Sequence, residues 1–138
     1  MAETKKLALV TGASSGIGFE LAKRFADDGY DLVIAAEDDG ITTAAGKLSH
    51  NGAHVRPVKV DLRSPEGVKE LYERATEGRH ALDAAAINAG VGTSGRFVDS
   101  DLEHDLSVID LNVRSTTHLT KLVLRDMVER TFRSITDR

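Results

Sequence analysis

Short apolar runs alternate with amphipathic stretches along most of this chain. The run Leu7–Val10 is typical of a buried parallel strand, and the apolar positions that follow Gly16 recur at helical spacing. The same alternation continues downstream, as expected for parallel βαβ units. It predicts strands at about 7–10, 31–36, 54–60 and 84–87, and helices at about 16–28, 41–49, 65–77 and 101–129.

The connection between the first strand and the first helix is rich in glycine. It reads TGASSGIG from Thr11 to Gly18, with glycines at positions 12, 16 and 18. A strand, a glycine-rich turn and a helix direct the unpaired N–H groups of the helix N-terminus at an anion. The spacing differs from the G-x-G-x-x-G of the usual dinucleotide fingerprint. The glycines alone therefore leave an ordinary tight turn as an alternative.

Composition narrows the possible functions. The chain has 138 residues, enough for one compact domain and too few for two, and its net charge of −4 argues against a nucleic-acid surface. It contains no cysteine, which excludes disulfides and thiolate chemistry. No apolar run approaches about 18 residues and the polar start lacks a signal-peptide core, so we expect no membrane span and a cytoplasmic location. The histidines have no metal-ligand spacing, and we expect no metal site at His50, His54, His80, His104 or His118.

Four motifs, in this order along the chain, resemble the short-chain dehydrogenase/reductase family. They are Thr11–Gly18, Asp61-Leu62, Asn88-Ala89-Gly90 and Asn112, and the resemblance covers roughly the first 112 residues. It implies an α/β fold with a Rossmann-type doubly wound parallel sheet of strand order 3-2-1-4, truncated after the fourth strand and the long helix that follows. It also implies binding of NAD or NADP and hydride transfer between the nicotinamide and an alcohol or carbonyl.

The resemblance implies a cofactor-binding role for most of the glycine-rich loop. Thr11 and the three glycines would bound the pyrophosphate loop, while the residues between them would contribute backbone or hydroxyl contacts. The expected pyrophosphate-binding residues are Thr11, Gly12, Ser14, Ser15, Gly16, Ile17 and Gly18.

The second and third motifs follow the third and fourth predicted strands. The resemblance implies that the Asp61 side chain bonds the adenine amino group and that the backbone of Leu62 lies alongside the ring. An Asp after a strand can also cap the next helix, but Ser64-Pro65 is the better cap, which leaves Asp61 freer for a ligand. The third motif would lie along the cofactor beside the nicotinamide-side ribose, or would form an ordinary turn; its residues are Asn88, Ala89 and Gly90.

The end of the second strand bears on the choice between NAD and NADP. An acidic residue there accepts hydrogen bonds from a ribose hydroxyl, whereas a basic residue favours the 2′-phosphate of NADP. The sequence reads Ala36-Glu37-Asp38-Asp39, and three carboxylates would repel a phosphate. We therefore expect NAD or NADP, with NAD slightly favoured and Glu37 near the adenosine ribose. A solvated acidic loop is the alternative interpretation.

Asn112 lies inside the long predicted helix, Asp101–Glu129. The resemblance implies a local helix distortion at this residue, whose main-chain carbonyl would hold a water in the proton relay to the catalytic Lys. Burying the side-chain amide without a partner would cost about 1–3 kcal/mol. The alternative is a core Asn satisfied by a neighbouring loop. Asn112 is the one member of the family's catalytic set that this sequence contains.

The family's proton-transfer group is missing from this sequence. The family uses a Ser and a Tyr followed four residues later by a Lys, but the chain's two tyrosines, Tyr30 and Tyr72, are followed by Ile34 and Thr76. The match ends at about Arg130, so we expect an incomplete domain at 1–130 and a divergent tail at 131–138, as in a truncated or frame-shifted product.

Two functional hypotheses remain open. The first is the cofactor-binding half of a short-chain oxidoreductase, inactive alone. The second is a catalytically silent fragment that binds a dinucleotide or dimerises. An unpaired fourth strand and an uncovered long helix favour association, so we expect a possible homodimer through Asp101–Glu129. The expected partner is otherwise a nicotinamide dinucleotide, with no nucleic acid or membrane.

Overall fold

The computed structural model describes residues 5–49, 52–79 and 81–136. His50, His80 and the last two residues of the predicted tail lie outside the described residues. The strands are β1 (Leu7–Thr11), β2 (Asp31–Ala36), β3 (Val55–Lys59) and β4 (Ala84–Ala86). The α-helices are α1 (Gly16–Asp27), α2 (Gly40–Leu48), α3 (Pro65–Ala75), α4 (Leu102–Ile109) and α5 (Thr116–Thr136), with a π-helical segment at Asp110–Ser115.

The four strands form one parallel sheet in the order β3-β2-β1-β4. β1 is paired with β2 from Leu7↔Asp31 to Thr11↔Ala35. On its other side, β1 is paired with β4 from Ala8↔Ala84 to Val10↔Ala86. The predicted α/β class and strand order are therefore confirmed.

Alternate residues of the buried strands serve two separate cores. Leu9 and Val33 belong to a core shared with α3 and α5, whereas Val10 and Ile34 belong to a core shared with α1 and α2. All four side chains are fully buried. Because successive strand residues point to opposite faces, a strand covered on both faces needs an unbroken apolar run. This is why the run Leu7–Val10 predicted a buried parallel strand.

Local signals set several element ends. The Ser64 hydroxyl accepts a hydrogen bond from the backbone N–H of Gly67, and Pro65 occupies the first turn of α3, as its sequence predicted. Gly29 follows the end of α1 with a φ of 91°, a left-handed conformation that glycine adopts at little cost. The predicted helix termini elsewhere differ from the structure by one or two residues.

The prediction of one helix over Asp101–Glu129 is wrong in two respects. The helix is interrupted by the π-helical segment Asp110–Ser115, and its last part, α5, continues to Thr136. Neither proline nor glycine occurs between Thr116 and Thr136, so nothing in the sequence stops the helix at Glu129. The predicted divergent tail is thus helical as far as it is described. The interruption itself agrees with the distortion that the family resemblance implied at Asn112.

Candidate functional site

The carboxyl ends of the strands meet at one edge of the sheet, where a pocket of about 140 Å³ opens. Residues from three of the sequence motifs and from the end of β2 line it together, although they are far apart in the chain. Predicted site residues that line the pocket are Gly12, Ser14, Glu37, Asp61, Leu62, Ala89 and Gly90. The remaining lining residues are Ala36, Asp38, Val60 and Leu111.

The glycine-rich loop has two different requirements for glycine. A Cβ added to Gly18 would lie 2.0 Å from the carbonyl oxygen of Gly12, so α1 packs directly against the loop. Gly12 and Gly16 have φ values of 66° and 61°, and a Cβ on Gly16 would meet nothing within 4 Å. Gly18 therefore serves the packing of the protein itself, whereas Gly16 keeps the outer surface of the loop open.

The N-terminus of α1 is open to an anion. Its N-cap residue, Ser15, makes no side-chain hydrogen bond to the first turn, and that turn contains no acidic residue. Ser15, Gly16 and Ile17 are exposed, so the backbone N–H groups there are accessible. These unpaired donors and the helix dipole together favour a phosphate or another anion.

Thr11 does not face the pocket. It is fully buried, and its hydroxyl oxygen accepts hydrogen bonds from the backbone N–H groups of Asn88 and Ala89, each at 2.9 Å. This side chain joins β1 to the turn that follows β4. Its contribution is to position the third motif beside the glycine-rich loop, a long-range contact that the sequence did not reveal.

The three carboxylates that follow β2 are separately engaged. The Ser14 hydroxyl donates to Asp38 Oδ2 at 3.0 Å, and Asp38 Oδ1 accepts from the backbone N–H of Gly40. Lys59 Nζ lies 2.7 Å from Asp39 Oδ1. Its hydrogen bond lowers the pKa of Asp39, and Asp39 in turn raises the pKa of Lys59. The acidic stretch therefore presents less bare charge than its sequence suggests.

Arg63, which the sequence analysis missed, bridges two of the predicted residues. Its guanidinium Nη2 lies 2.9 Å from Glu37 Oε2, while Nε lies 2.9 Å from Asp61 Oδ1. The hydrogen bond from Arg63 holds the pKa of Asp61 below its usual value. Asp61 is thus engaged by Arg63, whereas the assignment of the cap to Ser64 had predicted that it is freer for a ligand. A basic residue two positions after a predicted adenine-binding Asp was the available signal.

Asn112 holds the loop after β4. Its Oδ1 accepts from the backbone N–H of Val91 at 2.9 Å, and its Nδ2 donates to the Val91 carbonyl at 2.7 Å. The alternative of a core Asn is wrong about burial, because Asn112 is exposed. Its amide is nevertheless satisfied by a neighbouring loop, as the alternative had it. This contact accounts for the side chain and leaves the role of its main-chain carbonyl a prediction.

Neither tyrosine belongs to the pocket. Tyr30 packs edge-on against Phe25, with ring centroids 5.1 Å apart, and Lys6 Nζ lies 5.9 Å from its ring centroid. Burial is the main cause that raises the pKa of Tyr72, on α3. An activated catalytic Tyr would need the opposite shift. Tyr30 and Tyr72 therefore pack within the protein and do not contribute to the pocket.

A second cavity, larger at about 700 Å³, opens at the opposite edge of the sheet. Lys5, Asp31, His54, Arg56 and Glu77 line it. It lies at the amino ends of the strands, away from the glycine-rich loop, whereas ligands of open α/β sheets bind at the carboxyl ends. We therefore assign the candidate site to the smaller pocket. Among the described residues, no His, Asp and Glu side chains form a group that could hold a metal, and no helix could cross a membrane.

The strand order reverses between β1 and β4, and the glycine-rich loop lies at this switch point. A parallel sheet with that arrangement defines the doubly wound class of dinucleotide-binding folds. The chain belongs to the short chain dehydrogenase family, whose sequence model matches residues 6–135.

Relatives and solved structures agree with this membership. The oxidoreductase UcpA of Salmonella typhimurium is 37% identical over 127 residues, which is 92% of this chain and 48% of that protein. The crystal structure of L-sorbose reductase from Gluconobacter frateurii, complexed with NADPH and L-sorbose, has a TM-score of 0.84 and 31% identity; the match covers 92% of this chain and 49% of the reductase. An alcohol dehydrogenase from Thermococcus sibiricus, complexed with 5-hydroxy-NADP, has a TM-score of 0.83 and 29% identity over 90% of this chain and 54% of the dehydrogenase. The chain spans about half the length of the UcpA proteins it matches.

Proposed function

We propose that the chain binds a nicotinamide dinucleotide in the pocket at the carboxyl edge of its sheet, as the cofactor-binding half of a short-chain oxidoreductase. One observation carries the proposal: the pocket is lined by residues from three separate motifs beside the uncapped N-terminus of α1. The pyrophosphate would lie against Gly16 and Ile17, which are both exposed, and a Cβ added to Gly16 would meet nothing within 4 Å.

The rest of the pocket suits an adenosine. Val60 and Leu62 provide apolar walls for the adenine ring, and Asp61 offers carboxylate oxygens to its amino group. Glu37, at the end of β2, would accept hydrogen bonds from the ribose hydroxyls. On this basis we propose NAD(H) as the slightly favoured cofactor, although the two structural relatives above hold NADPH or 5-hydroxy-NADP.

For the 138-residue chain itself we propose cofactor binding without hydride transfer. The reaction needs a group that exchanges a proton with the substrate oxygen. Tyr30 and Tyr72 lie outside the pocket, and neither has a Lys four residues later. Asn112 would contribute its main-chain carbonyl to catalysis only where those groups are present. Mixing the chain with NADPH or NADH and simple ketones should give no change in absorbance at the nicotinamide band.

Calorimetric titration with NADH and NADPH tests the binding proposal. A matched pair of variants sharpens it, because Ile17 and Val98 are similarly exposed, at 73% and 79%, but only Ile17 lies on the first turn of α1. Ile17→Glu adds a carboxylate that suits the helix dipole yet repels a pyrophosphate. We expect it to weaken binding at least tenfold, or about 1.4 kcal/mol, while Val98→Glu leaves affinity unchanged. Equal binding by both variants would refute the assignment of the site.

We also propose self-association through the helices after β4. Exposed apolar side chains follow one another along α4 and α5, among them Leu102, Leu106, Leu124 and Val128. Large apolar patches on a protein surface mark interaction sites. Sedimentation analysis should detect dimers, and Leu106→Glu with Val128→Glu should shift them to monomers. A monomer at all concentrations would refute self-association.

The cytoplasmic location of the protein stays a prediction.

A further inference from the structure

Arg63 lies at the rim of the proposed pocket and contacts two carboxylates there. Its guanidinium lies within 3.0 Å of oxygens from both Glu37 and Asp61, which belong to the ends of different strands. The glycine-rich loop contains no basic residue that could serve a second phosphate. Arg63 is therefore placed where a positive charge would matter for the choice of cofactor.

Among the ion pairs of the described residues, that of Arg63 is the one whose carboxylates, Glu37 and Asp61, line the proposed pocket. Lys59 is paired with Asp39, at 2.7 Å, and Asp39 is not among the residues that line the pocket. Asp38 is held by the Ser14 hydroxyl and the Gly40 N–H. Glu37, which we propose to lie beside the adenosine ribose, has Arg63 as its ion-pair partner.

We propose, resting on the proposed function, that Arg63 is a cofactor-selecting residue that exchanges partners between the Glu37 carboxylate and the 2′-phosphate of NADP(H). With NAD(H), the guanidinium keeps its contact with Glu37, whose second oxygen accepts the ribose hydroxyls. With NADP(H), the guanidinium turns to the phosphate and offsets the repulsion from Glu37. The site then accepts both cofactors, with a preference for NAD(H) of less than about tenfold.

The exchange of the Glu37 contact for a phosphate contact costs Arg63 little free energy. The side chains of Arg63 and Glu37 are 42% and 52% exposed, and exposed ion pairs contribute little to stability. A phosphate, in contrast, carries close to two negative charges and accepts paired hydrogen bonds from the planar guanidinium. The contact to the phosphate is therefore the stronger of the two. Asp61 can retain the Nε contact while Nη2 changes partner.

The test is calorimetry of the full 138-residue chain with NADH and NADPH at low ionic strength. Arg63→Met removes the charge and retains much of the side-chain length. We expect the Kd for NADPH to rise about ten- to hundredfold, and that for NADH to change less than about fivefold. Glu37→Gln removes the repulsion and releases Arg63, so the Kd for NADPH should fall while NADH binds more weakly.

Arg56→Gln is the matched control. Arg56 is also paired with a carboxylate, Glu77 at 3.3 Å, but at the opposite edge of the sheet. Its substitution changes the net charge as Arg63→Met does, and we expect the ratio of the two Kd values to stay that of the unsubstituted chain. Circular dichroism of each variant establishes that the helices are retained.

The outcomes separate the two proposals. If the unsubstituted chain binds neither cofactor, the proposed function fails and this inference fails with it. If it binds a cofactor, but Arg63→Met leaves the NADPH-to-NADH ratio of Kd values unchanged, the role of Arg63 is refuted while the proposed function stands. A loss of affinity for both cofactors to the same extent would likewise refute selection by Arg63.

Discussion

Two regions of the sheet differ in how completely helices cover them. We call β1 and β2, with the helices packed on them, the covered side, and β4 with α4 and the loops between them the uncovered side. On β1 and β2, Leu9, Val10, Val33 and Ile34 are fully buried between helices on both faces. On the other side, the three alanines of β4 are partly exposed, and α4 contains no buried residue. The glycine-rich loop and the acidic stretch belong to the covered side. The adenosine end of the pocket is thus built on the best-packed part of the molecule.

The nicotinamide side of the pocket depends on the less covered part. The turn after β4 is attached to the covered side by the Thr11 hydroxyl, and the loop beyond it is attached to the π-helical segment by Asn112. The apolar residues of this region are at most partly buried, although Ala85, Ile87 and Ala89 pack against the core shared with α3 and α5. A less completely covered part of a fold can thus be held in place by individual polar side chains.

Gly18→Ala should have the largest effect, because it disrupts the packing of α1 on the covered side. Gly18→Ala places a Cβ about where the Gly12 carbonyl lies, at 2.0 Å, and backbone cannot yield cheaply. We expect a loss of about 3 kcal/mol or more in the free energy of unfolding, measured by urea denaturation. Gly46→Ala is the control, because its Cβ meets nothing within 4 Å in α2, and it should stabilise by about 0.5–1 kcal/mol. Equal effects of the two substitutions would contradict the packing role.

The second-largest effect should come from breaking the link between the covered side and the turn after β4. Thr11→Val removes the acceptor for two backbone N–H groups without changing the side chain's shape. We expect a destabilisation of about 2 kcal/mol, because part-buried donors lose their partner. Thr11→Ser keeps the hydroxyl and should recover most of this. Hydrogen exchange should show faster exchange at Asn88 and Ala89 in the Val variant, and unchanged protection there would argue against the link.

A smaller effect concerns the uncovered side alone. Asn112→Leu removes both hydrogen bonds to Val91, whereas Asn112→Asp retains an acceptor for the Val91 N–H. Because Asn112 is exposed, we expect no more than about 1 kcal/mol of destabilisation. The Val91 amide should exchange faster in the Leu variant than in the Asp variant. Identical exchange in both would show that this contact does not hold the loop.

The smallest prediction concerns pH and the rim of the covered side. Arg63 lowers the pKa of Asp61, so this pair contributes stability above the unfolded-state value of about 3.9. That contribution is lost as the pH falls through the lower pKa of the folded state. Arg63→Met should raise the Asp61 pKa toward its ordinary value, as measured by carbon-detected NMR titration. The pKa of Asp39, held down by Lys59, should not follow; a common shift of both would point to a general charge effect.

Local sequence signals predicted most of the backbone. The apolar run of β1, the cap of α3 by Ser64 and the glycine after α1 each act within a few residues, so their patterns carry over directly into structure. The strand order followed from the family resemblance and is confirmed. The long helix was predicted less well, because apolar spacing does not distinguish a continuous α-helix from one interrupted by a π-helical segment.

Periodicity and the conformations that glycine and proline allow were enough to predict the element order and the glycine-rich loop, and the family resemblance supplied the other motifs that meet at the carboxyl edge. The long-range side-chain contacts of these residues became visible in the three-dimensional structure alone. Thr11 reaches a turn 77 positions away, and Arg63 reaches Glu37 across 26 positions. The physical reason is that such side-chain pairs depend on strand register and on the crossing of separate elements. The contact of Gly18 with the Gly12 carbonyl has the same origin, because it is set by how closely α1 approaches the loop.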